Sequence, residues 1–154
     1  MRRLGVRSVR ARAEDGTAIV EFVWLALLLM VPLVYVVVAV LDTQRAAFAA
    51  STAARSAGRA FVTAPDQVTA RARALAAVHL AFADQGVADA PTELLVSCRP
   101  DPDACLSPGS VVTIEVRSAA RLPLVPSALG GGAPVIRVAA RHSAPYGTFR
   151  EARP

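Results

Sequence analysis

The chain has 154 residues, 54% of them apolar and 19% charged, which leaves room for one modest domain of more oily than average composition. All 17 basic side chains are arginine, set against 12 acids for a net charge of +5. The first sixteen residues hold +3 of that total, with Arg2, Arg3, Arg7, Arg10 and Arg12 opposed only by Glu14 and Asp15. The basic balance therefore belongs partly to a short tail, and the few scattered aromatic residues give no surface for stacking on bases, which argues against nucleic-acid binding.

Residues 1–16 read as a polar, unstructured leader. From Phe22 to Leu41 twenty consecutive residues carry no charge, about the length needed to cross a bilayer as a helix, and the run shows no polar stripe of the kind a buried soluble helix has. Arginines flanking a span stay on the cytoplasmic side, so the body from about residue 43 is expected outside the cytoplasm. Pro32 falls in the middle of the run and is expected to kink the helix, since it lacks an N–H and crowds the preceding turn. Alanine-rich sequence then extends the helix to about Ala64, with Gly58 a second weak point and Ala64–Pro65 a boundary.

A second helix is expected over "TAPDQVTARARALAAVHLAFADQG", capped by Thr63, favoured at its start by Asp66 and stopped by Gly86. Val68, Ala72, Leu75, His79 and Phe82 recur at helical spacing and predict the face that packs on a sheet, with His79 half-buried. Three segments with alternating, β-branched character follow: Thr92–Cys98, Ser110–Val125 and Pro134–Ala144. In the second, Val112, Ile114 and Val116 point one way and Thr113, Glu115 and Arg117 the other. They predict an antiparallel sheet of three to four strands, with "YGTFREARP" as a final edge strand or a loose end. The fold class is α+β. Its parts are a basic cytoplasmic leader (1–16), a transmembrane helix with its helical extension (17–64) and an extracytoplasmic body (65–154).

Cys98 and Cys105 enclose "RPDPDA". The spacing fits a structural disulfide between the end of one strand and the start of the next, with free thiols the alternative; it excludes a redox CxxC site, and the segment offers too few ligands for zinc. Asp101 and Asp103 are too few carboxylates for calcium and read as turn residues. His142 and Ser143 adjoin on a strand, so they face opposite ways and make poor partners for base and nucleophile. Gly130–Gly132 lacks the lysine of a phosphate-binding loop. No catalytic residues, metal, cofactor or small-molecule substrate are expected.

The feature that an ordinary anchor leaves unexplained is Glu21, an acid placed just inside the oily run. A cleaved signal peptide, for which Ala47–Ser51 resembles a cutting site, would have a shorter apolar core. Gly16 permits an extended backbone before the helix. A cut after it would leave a protonated amine on Thr17, one turn from Glu21. Such an amine could pair with Glu21 of the same chain or of a neighbour.

The segment "EDGTAIVEF", with its basic leader, glycine before the cut, glutamate five residues after it and oily helix, resembles the processing site of type IV pilin-like proteins. It is most similar to the TadE-like minor pseudopilins of tight-adherence (Flp) pilus systems, strongly over residues 14–64 and loosely over the body. The resemblance implies cleavage by a prepilin peptidase between Gly16 and Thr17. It also implies residence in the bacterial cytoplasmic membrane, or in a pilus, beside other pilin and pseudopilin subunits and the inner-membrane assembly platform. Its implied role is non-catalytic, in assembling or priming a pilus. Glu14 and Asp15, directly before Gly16, depart from a simple recognition sequence, and the body of roughly 90 residues is long for a major Flp pilin. The alternative is a generic membrane-anchored extracytoplasmic binding or scaffold domain.

Overall fold

A computed structural model describes residues 10–121 and 135–153, and the side chains of these residues other than 10–17 and 121. The leader up to residue 9 and the "GGG" segment lie outside the described residues. The chain is α+β. Helix α1 (Arg10–Val62) and helix α2 (Gln67–Asp84) are followed by strands β1 (Thr92–Arg99), β2 (Val111–Arg121) and β3 (Val135–Pro145), which form one antiparallel sheet in the order β1-β2-β3. Contacts divide the chain between Val38 and Ala39. The first unit contains α1 up to Val38, and the body begins at Ala39.

Within the body, α1 packs through a seam of small side chains. Ala46, Ala49, Ala50, Ala53, Ala54 and Ala57 are all buried, and Phe61 closes the row near the helix end. Their three- and four-residue spacing keeps them on one face. Small residues let the helix approach the sheet closely, and Gly58 lies against His142 and Ala144 of β3. Its place in the helix follows from that approach.

Helix α2 starts at Asp66, not at the expected Thr63. The Asp66 carboxylate accepts from the Thr69 N–H and hydroxyl, both at 2.7 Å. The Thr63 hydroxyl instead donates to Arg59 O (2.8 Å) at the end of α1. Gly86 does end α2. With φ at +70°, it lets its own N–H reach Ala83 O and the Val87 N–H reach Phe82 O, the paired bonds of a Schellman termination.

The inward face of α2 differs from the expected one. Ala70, Ala74, Val78, Ala81 and Phe82 are buried, whereas Val68, Ala72, Leu75 and His79 are exposed. Phe61, Leu106 and Tyr146 supply much of the bulk of the core, and α2 adds Phe82 and otherwise slender side chains to it.

The sheet follows its alternation. Val112, Ile114 and Val116 are buried, and Glu115 on the other face pairs in register with Arg141 of β3. The tail, expected as a final edge strand or a loose end, forms no strand and is tied down as a strap. Tyr146 is fully buried, and its N–H donates to Ser110 O (2.8 Å) and its hydroxyl to Glu151 O (2.7 Å). Beyond it, Arg150 donates to Val62 O (2.8 Å) and Arg153 to Ala64 O (2.6 Å), satisfying carbonyls around the end of α1. A cation at a helix C-terminus is favoured by the dipole.

Candidate functional site

The residues singled out at the N-terminal end all fall on one helix. The backbone is helical from Arg10, so the Gly16–Thr17 peptide lies inside α1 and not in the extended segment expected before it. Glycine is the least favourable of the ordinary residues in a helix interior, which makes Gly16 the natural place for the helix to open. Glu21 lies four residues beyond Thr17, on the same helical face as that residue.

From Ala18 onward α1 is long and apolar enough to cross a membrane, and is compatible with a single-pass anchor. Phe22, Val23, Trp24, Leu25, Leu27 and Leu28 are all exposed, and together they cover every side of the helix. Such a surface matches lipid or other apolar helices better than water. Glu21 is the one acidic or basic side chain between Ala18 and Leu41, and it too is exposed. Among the described residues it has no ion-pair partner. Pro32 lies within α1, which is helical on both sides of it; the proline withholds the N–H that would otherwise bond the Leu28 carbonyl. The first charges after the run are Asp42 and Arg45, which pair at 3.5 Å.

In the body, Cys98 and Cys105 form a disulfide. It joins the end of β1 to a turn that is itself cross-braced: Gln67 donates to Asp103 O (2.6 Å), the Asp103 N–H to the Asp101 carboxylate (2.9 Å), and the Ser110 hydroxyl to Cys105 O. The two aspartates therefore shape a turn. Among the described residues no group of three or more His, Cys, Asp or Glu side chains is placed to hold a metal ion.

His142 and Ser143 face opposite ways. The imidazole lies against Gly58, and the Ser143 hydroxyl is 3.2 Å from that of Thr113 on the outer face. On that face Glu115 is held between Arg117 (2.7 Å) and Arg141, and these two guanidinium hydrogen bonds, Arg141 first, keep its carboxyl below the usual range. The Asp66 carboxyl is also lowered, by the bonds from Thr69.

Sequence reasoning missed the buried alanine seam of α1, whose three- and four-residue spacing was its available signal. It also missed Arg150 and Arg153, whose targets lie about 90 residues away and leave no local signature. Comparison of the chain with family models, curated proteins and solved structures returns no match.

Proposed function

We propose that the chain is a TadE-like minor pseudopilin, a non-catalytic membrane protein that takes part in assembling a Flp-type pilus or a related secretion machine. In this reading α1 crosses the cytoplasmic membrane once, with the arginine-rich leader inside and the body outside, and a prepilin peptidase cuts between Gly16 and Thr17. The observation that carries the proposal is Glu21, the single charged side chain in the stretch of α1 from Ala18 to Leu41.

An acid is costly within a lipid-facing helix unless it meets a positive partner. The new α-amino group of Thr17, with an ordinary pKa of about 7.7–8.0, is such a partner, in the same chain or in a neighbour shifted along the axis. The pair contributes little net stability, but leaving either charge unpaired among apolar helices costs about 3–5 kcal/mol, so it acts on register. The helical backbone at Gly16–Thr17 has to open for cleavage, and the glycine makes opening easier.

N-terminal sequencing of membrane-extracted protein tests the cut, with Thr17 the expected first residue. Piliation of the native host carrying Glu21→Gln or Glu21→Ala tests the pairing, and loss of pili is expected. A first residue of Met1 combined with normal piliation in both variants would leave a membrane-anchored extracytoplasmic scaffold domain.

A further inference from the structure

The sheet is open at both edges. Among the described residues, the main chains of β1 and β3 hydrogen-bond to no main chain but that of β2. Natural sheets protect such edges with interior prolines, bulges or inward-pointing charges. These edges have none of them. Both pairings with β2 run without a bulge, Pro145 stands at the very end of β3, and the inward side chains Leu94, Val96, Val138 and Ala140 are apolar. Those four are only half-buried against the core, whereas Val112, Ile114 and Val116 on the strand between them are fully covered. The apolar layer is therefore left unfinished along both edges.

The outward side chains differ in charge between the two edges: β1 carries Glu93 and Arg99, and β3 carries Arg137 and Arg141. Arg137 is exposed and has no ion pair among the described residues, and Glu93 has only a loose one, with Arg117 at 3.9 Å. Laid side by side as parallel strands, the two edges fit in one register. With Glu93 beside Arg137, Leu94 falls beside Val138 and Val96 beside Ala140, and all eight residues of β1 find neighbours between Ile136 and Ser143. A slip of one residue turns every side chain to the wrong face. A slip of two brings Arg99 beside Arg141 in one direction. In the other it sets Arg141 beside Leu95 and leaves Glu93 against Ala139.

We propose that β1 of one copy pairs in parallel with β3 of a second copy of this chain, with Glu93 beside Arg137, so that the sheet continues from copy to copy. Glu93 then lies between Arg117 of its own copy and Arg137 of the neighbour, as Glu115 already lies between Arg117 and Arg141. Leu94 and Val96 meet Val138 and Ala140, which completes the apolar layer that each edge leaves half-covered. β1 and β3 both run antiparallel to β2 and so share a direction. Joining them is close to a translation, which keeps α1 of every copy parallel, as copies anchored in one membrane require. Joining like edges as antiparallel strands needs a two-fold axis across the sheet, which would reverse α1 of the second copy. The contact is heterologous, so repetition builds a row in place of a closed pair. One strand pair buries far less than a stable interface, so the contact is weak in solution and gains effect where copies share a membrane. The direction of stacking rests on α1 as an anchor and not on cleavage at Gly16: a Met1 amino terminus would remove the pseudopilin reading and leave this contact standing.

The test uses the full chain in phosphatidylcholine vesicles, mixing a Leu95→Cys copy with an isotope-labelled Ala139→Cys copy and oxidising with copper phenanthroline. Positions 95 and 139 are outward-facing neighbours in the proposed register. Mass spectrometry is expected to find 95-to-139 bridges between labelled and unlabelled copies in excess of 95-to-95 and 139-to-139 bridges. Arg137→Glu in the labelled copy sets two acids side by side and is expected to lower the 95-to-139 yield several-fold, and Glu93→Arg in the unlabelled copy to restore it. Unchanged thermal melts by circular dichroism establish that each variant is folded. Absence of the 95-to-139 bridge would overturn the proposal, as would an excess of like-position bridges. So would a yield indifferent to Arg137→Glu, or a charge swap that fails to restore it.

Discussion

Gly58 of α1 and His142 of β3 meet so closely that a Cβ built on the glycine lies 3.0 Å from His142 Cδ2, with the Ala144 Cβ at 3.5 Å. Two opposing terms therefore act on Gly58→Ala. Alanine gains about 1 kcal/mol of helix propensity, and the imidazole, half-buried on an edge strand, has to shift by a few tenths of an ångström. The expected net change is under about 1 kcal/mol. Gly58→Leu has no such escape and should cost about 1–3 kcal/mol, with partial recovery in Gly58→Leu/His142→Ala. Thermal melts of the four proteins in one detergent check this, and equal midpoints for wild type and Gly58→Leu would contradict the packing described.

The C-terminal strap should matter more to the body than its position at the chain end suggests. Tyr146→Ala empties a fully buried site and is expected to cost about 3–5 kcal/mol, the range for large aromatic truncations. Tyr146→Phe loses only the bond to Glu151 O and should cost about 0.5–1.5 kcal/mol. Removal of residues 150–154 keeps the tyrosine but uncaps α1. Limited proteolysis between α1 and α2, near Pro65, should then become faster.

The disulfide and the strap are linked through the turn they share. Tyr146 N–H bonds Ser110 O, the Ser110 hydroxyl bonds Cys105 O, and the Arg153 N–H bonds Leu106 O (3.0 Å). Opening the bridge by Cys98→Ser with Cys105→Ser releases a short loop, at a cost of about 2–3 kcal/mol in the chain-entropy model. Hydrogen exchange should speed up at Tyr146 and Arg153 as well as in the turn itself. Faster exchange in the turn alone would show that the strap holds independently.

The division between what was legible and what was not follows the range of the forces involved. Alternation at Val112–Arg117 and the stop at Gly86 are local signals, and the structure keeps both. The face of α2 was misread because the rule that apolar stripes face inward assumes an empty core. Here Phe61 at the end of α1 and Tyr146, distant in sequence, occupy the core, and Val68 and Leu75 are left outside. The strap was illegible for a similar reason, since nothing near Arg150 names Val62 as its acceptor. Glu21 was conspicuous from its neighbours alone, as the one acid set into an uncharged run, and among the described residues it has no ion-pair partner.

Acid should destabilise the body through two identified carboxylates. Glu115 is lowered by its bonds from Arg141 and Arg117, and Asp66 by its bonds from Thr69. A carboxyl whose folded value lies below its unfolded value binds fewer protons when folded. Its contribution is therefore complete above the unfolded values, about 4.3 for Glu and 3.9 for Asp, and is lost as pH falls through the folded ones. The melting temperature should hold steady from neutral pH to about 5 and decline below about 4. Glu115→Gln should lower stability at pH 7 and flatten the decline, because the amide has no proton to gain. Asp66→Ala removes the cap of α2 as well and should cost about 1 kcal/mol at neutral pH. Melting temperatures of the three proteins between pH 3 and 7 check this, and parallel curves for wild type and Glu115→Gln would exclude the arginine-held carboxylate as a source of the acid limb.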